Sequence, residues 1–359
     1  TETFIVQVDT LIHGGTLVTS ERLIDGTIAI KDGKIAAVCD SDSAPDAAEV
    51  VDVSGKLVLP GVVDPHVHID GQNSRDTYET GTKAAALGGV TSCINFAWQG
   101  WDDEQRTWDD STLQEAVKRQ IQKGSESVID FGLHGTITRN DSEVLAELAE
   151  LVERGVTSFK MFTTYEFGLS NGFIDRVLKE IASMEAVAVF HTEDDSVCAE
   201  LTTELKASGD GDPARFPSSR PDYAEAMAAD SAVRMAREAG AKYYGVHTSC
   251  EKAGRVFEEC YENGSEVRAE TCTHYVALDE SAYEEAGSLP LIAPPLRTPD
   301  DQDSLFRQLR RGSLSVVSTD HVATKRANKE VENWWETSFG ANSLQYSLPV
   351  FHDEAVNKR

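Results

Sequence analysis

Along the first 58 residues, short apolar runs rich in Val and Ile alternate with turn residues. Runs at 4–8, 11–18, 26–30, 34–38 and 49–52 read as strands, and Asp32-Gly33 between two of them is a hairpin signal. From residue 57 the pattern changes. Apolar strand cores at 57–69, 91–96, 127–137, 157–162, 186–191, 242–247, 266–273 and 315–318 are separated by helix-like stretches. These lie at 76–87, 111–122, 141–153, 174–183, 223–238, 251–262 and 302–310. Eight strands alternating with helices predict an α/β fold, a closed (β/α)8 TIM-type barrel rather than an open sheet. The expected organisation is an N-terminal β-sandwich segment over 1–58 and the barrel over 59–359. Segments 199–222 and 324–340 read as irregular insertions after strands five and eight, at the barrel end where active sites sit.

Composition narrows the class. With 40% hydrophobic and 8% aromatic residues the chain is globular. No run approaches the roughly 18 apolar residues of a membrane span, and TETFIVQVD lacks a basic-then-apolar signal pattern. Six scattered cysteines without a CxxC pair suggest reduced thiols in a cytoplasm, against a disulfide framework or a cysteine zinc site. A formal charge of −28 opposes a phosphate backbone, so no nucleic-acid partner is expected. The acid-rich runs at 40–46, 102–104 and 300–303 are dispersed, not gathered in a tail. Such a coat suits a protein working in high salt, and equally one that is merely acidic.

Chemistry-bearing residues gather where the barrel strands end. His66 and His68 close the first run, in LPGVVDPHVHID. In extended chain, residues i and i+2 point to one side, so both imidazoles reach one point. A bare HxH pair also fits two ordinary histidines, but three further strand ends add donors: His191 after 187–190, His247 after 243–246 and Asp320 after 316–319. Imidazole and carboxylate donors suit Zn²⁺, with Mn²⁺, Fe²⁺ and Co²⁺ compatible. Lys160, in SFKMFTTYE at the end of strand four, stands among apolar residues. The simple alternative is a solvated or salt-bridged lysine. If burial favours the neutral amine, it can add carbon dioxide and become a carbamate, an anion able to bridge two metals. His134 and His274 read as strand residues satisfied by hydrogen bonds, and Glu193 as a structural partner of its neighbours.

The motifs GVVDPHVHID, ETGTKAAALGGVTSCINF, FGLHGTIT, SFKMFTTYE, FHTEDDSV, SSRPDYAEA, GVHTSCEKA, ETCTHYVAL, APPLRTPDD and STDH follow one another along the chain. The series resembles the dihydropyrimidinase/hydantoinase branch of the cyclic amidohydrolases. The resemblance implies two divalent metal ions, with Zn²⁺ expected, one on His66, His68 and Asp320 and the other on His191 and His247. Carboxylated Lys160 would lie between them. It implies hydrolysis of a cyclic amide C–N bond by a metal-bridging hydroxide, with Asp320 as general base and acid. Tyr165 would donate to the developing oxyanion, and His321 would orient the Asp320 carboxylate. Ala293, Ser338 and Asn342 stand where relatives contact substrate, although Ala293 replaces a common serine and the Asn-Gly segment of relatives is not recognisable.

The expected partner is a small cyclic amide, with a homo-oligomer, dimer or tetramer, as the assembly. Dihydroorotases carry an arginine just after the HxH pair, whereas Asp70 stands in this neighbourhood and favours a neutral ring such as a dihydropyrimidine or hydantoin. Arg75 nearby would counter that argument if its loop folds inward. Alternatives are an allantoinase or other cyclic-ureide hydrolase, a dihydroorotase-like enzyme, and a non-catalytic scaffold like the collapsin response mediator proteins. Retention of all six ligand positions argues against the scaffold. Family members continue past the equivalent of Arg359 to complete the β-sandwich, so a truncated chain with its partner strands missing is the expectation.

Overall fold

Pro60 and Gly61 divide what the sequence predicts as one strand over 57–69. In the computed structural model of the chain, which describes residues 7–72 and 74–359, Leu57–Val58 and Val62–His68 are separate strands. A proline has no N–H for a sheet ladder, so pairing stops there. The chain divides into two compact units at this point, Thr1–Val62 and Val63–Arg359.

The first unit holds two small sheets. One orders Lys34–Cys39, Thr27–Lys31, Val8–His13 and Ala47–Asp52 side by side; the other pairs Leu23–Asp25, Thr16–Val18 and Leu57–Val58. The hairpin turn falls at Asp32 and Gly33, whose φ of 50° and 70° match a tight turn with two left-handed residues. The single strand expected over 11–18 is two, broken at Gly14, whose φ of 86° an L side chain rarely adopts. Most of the strand expected over 4–8 lies outside the described residues. Val8, Leu11 and Ala29 form a small core between strands.

In the second unit, eight parallel strand positions are seen among the described residues. They are Val62–His68, Val90–Trp98, Asp130–Thr136, Ser158–Phe162, Val187–His191, Lys242–Gly245, Val267–Cys272 and an interrupted eighth. The eighth runs as Val316–Ser318 beside the seventh strand, then resumes as His321–Val322 beside the first. That change of partner closes the barrel. Thr319 and Asp320, in the break, are released from the ladder.

Helices cover the outside as their apolar stripes require, and several begin at clear start signals. Thr112 and Glu115 form a capping box for Leu113–Lys123, and Thr298 and Asp301 form another for Pro299–Arg311. The segment expected as irregular over 199–222 is instead mostly helical, with Asp195–Ser208 capped by Asp194 and two short turns after it. Only Cys198 of that helix is buried, so its sequence carries no apolar stripe to read. Segment 324–340 is mostly loop, with a short helix at Arg326–Lys329 and a 3-10 turn at Trp334–Glu336. None of the described helices is long and apolar enough to cross a membrane.

Candidate metal centre and active site

Strand alternation sets the inward faces. In Ser158–Phe162, Phe159 and Met161 join the main core, while Lys160 and Phe162 take the opposite face. His66 and His68 stand two residues apart on the first strand and His191 is the last residue of the fifth. His247 follows the sixth strand and Asp320 sits in the break of the eighth, with φ of 40° and 44°. A left-handed backbone at His and Asp turns each side chain off the strand line and into the barrel mouth. Asp64 supports this from below. Its buried carboxylate accepts from the backbone N–H of His66 at 3.1 Å and of Thr319 at 3.3 Å, pinning the first strand to the residue before Asp320.

All six residues are buried and line one cavity of about 370 Å³. The ligating atoms of His66, His68 and Asp320 lie within 4.8 Å of one another. Asp320 Oδ1 is 3.1 Å from His66 Nε2 and 3.3 Å from His68 Nε2. The rings of His191 and His247 are 4.5 Å apart, and His247 is 5.4 Å from His66. Lys160 Nζ lies 5.3 Å from the Phe96 ring centre and 5.0 Å from that of Phe162.

Two carboxylates outside the ligand set orient imidazoles. His66 donates Nδ1–H to Glu270 at 2.5 Å, which leaves Nε2 for Asp320 and the cavity. Glu270 also accepts from the Tyr244 hydroxyl at 2.5 Å and from the His247 backbone N–H at 3.2 Å. His191 donates Nε2–H to Glu193 at 2.8 Å, and Glu193 is held in turn by Arg220 at 2.5 Å.

The electrostatics suit a cation. Burial lowers His68 to about 4 and takes His191 and His247 well below their ordinary range, so all three are neutral lone-pair donors near pH 7. His66 is different. Burial pulls it down, but Asp320 and Glu270 outweigh that and raise it to about 9. A field that holds a proton so firmly would also hold a divalent ion in its place. The buried Nδ1 of His247 has no hydrogen-bond partner, so one ring nitrogen is left without a protein donor or acceptor. On these observations the residues fit a metal centre. Burial brings the Lys160 amine down to about 7, with Asp320 and Glu270 opposing.

Tyr165 stands over His191 at 5.3 Å and lines the cavity. Its φ is 71°, held by Asp195, whose carboxylate accepts from the Tyr165 backbone N–H at 3.1 Å. Burial pushes its phenol up, with the Arg220 guanidinium, 4.7 Å from the ring, pulling the other way.

Ala293 and Ser338 line the cavity, but Asn342 does not. Val322 donates to the Ala341 carbonyl at 2.9 Å, so the chain runs along the rim there and leaves Asn342 exposed. The role expected for His321 is also corrected. It makes no hydrogen bond to Asp320 among the described residues; its Nε2 meets Asp76 at 2.9 Å and its Nδ1 accepts from Ser343 and Leu344 backbone N–H groups. It therefore ties the segment just before the helix Tyr78–Leu87 to the loop after the eighth strand. His134 is satisfied by Ser158 and the Pro65 carbonyl, whereas both ring nitrogens of His274 lack partners. Asp70 does not line the cavity either: its carboxylate turns to Lys123 at 2.8 Å.

Sequence reasoning gave no role to Glu270, Arg220, Asp64, Trp98 or Arg106. Glu270 and Arg220 sit inside motifs quoted above, but nothing local marks their long-range partners.

A parallel barrel with its donors gathered at the carboxyl ends of the strands is a TIM barrel with an active face of the usual polarity. A family model described as Dihydro-orotase-like matches residues 55–253. The chain is 34% identical to D-hydantoinase of Geobacillus stearothermophilus, over 97% of this chain and 75% of that protein. It is 31% identical to an allantoinase of Salmonella choleraesuis, over 98% of this chain and 77% of that protein. The crystal structure of dihydropyrimidinase from Brevibacillus agri NCHU1002 superposes with a TM-score of 0.90 at 31% identity, covering 97% of this chain and 77% of that one. The chain belongs to the dihydroorotase-like amidohydrolase family, and its likeness to the hydantoinase branch runs along nearly its whole length.

Proposed function

We propose that this protein hydrolyses the C–N bond of a neutral cyclic amide ring, a hydantoin or dihydropyrimidine. The convergence of four imidazoles, Asp320 and Lys160 in one buried cavity carries this reading. His66, His68 and Asp320 would hold one divalent ion, with Zn²⁺ expected from the donor types, and His191 and His247 a second. Two such ions acidify water and polarise a ring carbonyl when bound. Lys160 would join them as a carbamate: its nitrogen lone pair adds to carbon dioxide with loss of one proton. An amine lowered to about 7 has that lone pair available near neutrality.

The remaining work falls to this chain's own groups. Asp320, which His66 and His68 keep ionised against burial, takes the proton from water and delivers it to the leaving ring nitrogen. Tyr165 stays neutral because burial raises it, so its hydroxyl can donate to the developing oxyanion. Ala293 and Ser338 would contact the ring at the cavity wall. The proposed organisation is the β-sandwich segment over 1–58 and the hydrolase barrel over 59–359, working in the cytoplasm as a dimer or tetramer.

The test is a metal-loaded sample assayed for ring opening on hydantoin, dihydrouracil and allantoin. Turnover of hydantoin or dihydrouracil above allantoin supports the reading. Preference for allantoin selects the ureide hydrolase instead, a reading that the allantoinase relatives favour. No opening of any ring with full metal content would overturn both.

A further inference from the structure

The solvent side of the cavity differs in charge from the rest of the molecule. In a chain with 61 acidic and 33 basic residues, two arginines, Arg75 and Arg106, line the same cavity as the six buried donors. Arg75 is exposed and Arg106 half-buried, so both stand on the solvent side of the donor cluster.

Neither arginine has an ion-pair partner among the described residues. The nearby acids are engaged elsewhere: Lys123 takes Asp70 at 2.8 Å and Asp103 at 3.1 Å. Arg106 donates from Nη2 to the Gln72 carbonyl at 2.9 Å, and its guanidinium carbon lies 6.0 Å from the Trp101 ring centre. Arg75 is placed by its own backbone N–H, which donates to the Ala323 carbonyl at 2.8 Å. Burial and the neighbouring Arg75 charge weaken the hold of Arg106 on its proton, with the Asp103 and Asp70 charges opposing. Two like charges lining one cavity, neither in an ion pair among the described residues, are a repulsion that a bound anion would relieve.

The same cavity carries an apolar wall. Trp98 and Phe162 stack at 5.5 Å, and Phe167 meets them edge-on at 5.7 Å and 5.0 Å. Such a wall accepts a planar ring or a short hydrocarbon arm and offers nothing to a charge along the way.

We propose that the preferred substrate is a cyclic amide whose ring substituent ends in a carboxylate, held at the cavity mouth by Arg75 and Arg106. The ring stays neutral and meets the donors; the arm crosses the aromatic wall; the planar guanidinium groups receive the carboxylate oxygens. Asp70 does not line the cavity, and its charge is paired with Lys123 at 2.8 Å. The inference rests on the hydrolase reading above and names its substrate class.

The test compares two hydantoins of matched shape on the metal-loaded protein: one with a 2-carboxyethyl arm at C5, the other with a 2-carbamoylethyl arm. Unsubstituted hydantoin serves as reference. The acid should exceed the amide by roughly 10- to 100-fold in kcat/KM, mostly through KM, as expected for charge-assisted hydrogen bonds. In the double variant Arg75→Gln, Arg106→Gln that ratio should fall toward about 1, and 0.5 M NaCl should compress it in the unaltered protein. A ratio taken within one preparation cancels the fraction of folded, active protein. Equal rates for acid and amide in the unaltered protein, or a preference that survives in the double variant, would overturn the inference. Failure to open any of the three rings would overturn the hydrolase reading beneath it.

Discussion

His66 donates its Nδ1–H to Glu270 at 2.5 Å, across 204 residues of sequence, and this bond decides which nitrogen faces Asp320. The same carboxylate accepts from the backbone of His247, so one buried acid ties together histidines expected on two different metals. Although burial opposes it, His66 and the Tyr244 hydroxyl hold Glu270 below its ordinary range. It is therefore ionised and available as an acceptor.

Glu270→Gln should lower metal affinity by about 10- to 100-fold, the usual consequence of losing a carboxylate behind a ligating imidazole. Competition with a coloured chelator measures this, and activity should return with excess metal. Unchanged metal retention would remove Glu270 from this role.

Lys160→Ala should abolish activity and lower metal content, with partial rescue by short-chain carboxylic acids. In the unaltered protein, activation by bicarbonate should grow as pH rises through about 7, because only the neutral amine adds carbon dioxide. An active, fully metallated Lys160→Ala protein is the result that rules out the carbamate.

Tyr165→Phe keeps the ring against His191 and removes only the hydroxyl. A loss of about 10²- to 10³-fold in kcat with little change in KM is expected if that hydroxyl meets the oxyanion. A change confined to KM would make Tyr165 a wall of the pocket and no more.

The metal-free protein should lose stability in mild acid, in part through His134. Burial is the main cause of its lowering from 6.5 to about 4, with the Pro65 carbonyl opposing. The unfolded chain binds the proton first as pH falls, so this contribution is complete above about 6.5 and is lost progressively down to about 4. Urea midpoints across that window should fall with pH, and His134→Gln should flatten the slope. An equal slope in the variant would show that other groups carry it.

The dispersed acidic residues imply self-repulsion that salt screens, with a Debye length of about 3 Å at 1 M. The thermal midpoint is expected to rise from low to molar KCl. A midpoint indifferent to KCl would leave no basis for a high-salt protein.

Much of the centre was legible because local rules placed it. Alternation along 66–68 puts two imidazoles on one side, and apolar runs ending in His191 and His247 mark strand ends from the letters alone. The family motifs then supplied the order of the barrel. The helix at Asp195–Ser208 was missed for an equally local reason: an exposed helix needs no apolar stripe, so periodicity is silent there.

What the sequence determined by itself was the strand-and-helix alternation, the six candidate donor positions and the class of chemistry they imply. What the tertiary structure alone decided was which charges face the cavity. Asp70 and Arg75 are five positions apart on one loop, yet Asp70 turns to Lys123 while Arg75 and Arg106 line the cavity. Side-chain direction on a loop follows from partners brought near by barrel closure, such as Ala323 bonding Arg75 and Gln72 bonding Arg106. No period of two or 3.6 encodes those contacts, because they join strands and loops far apart in the chain.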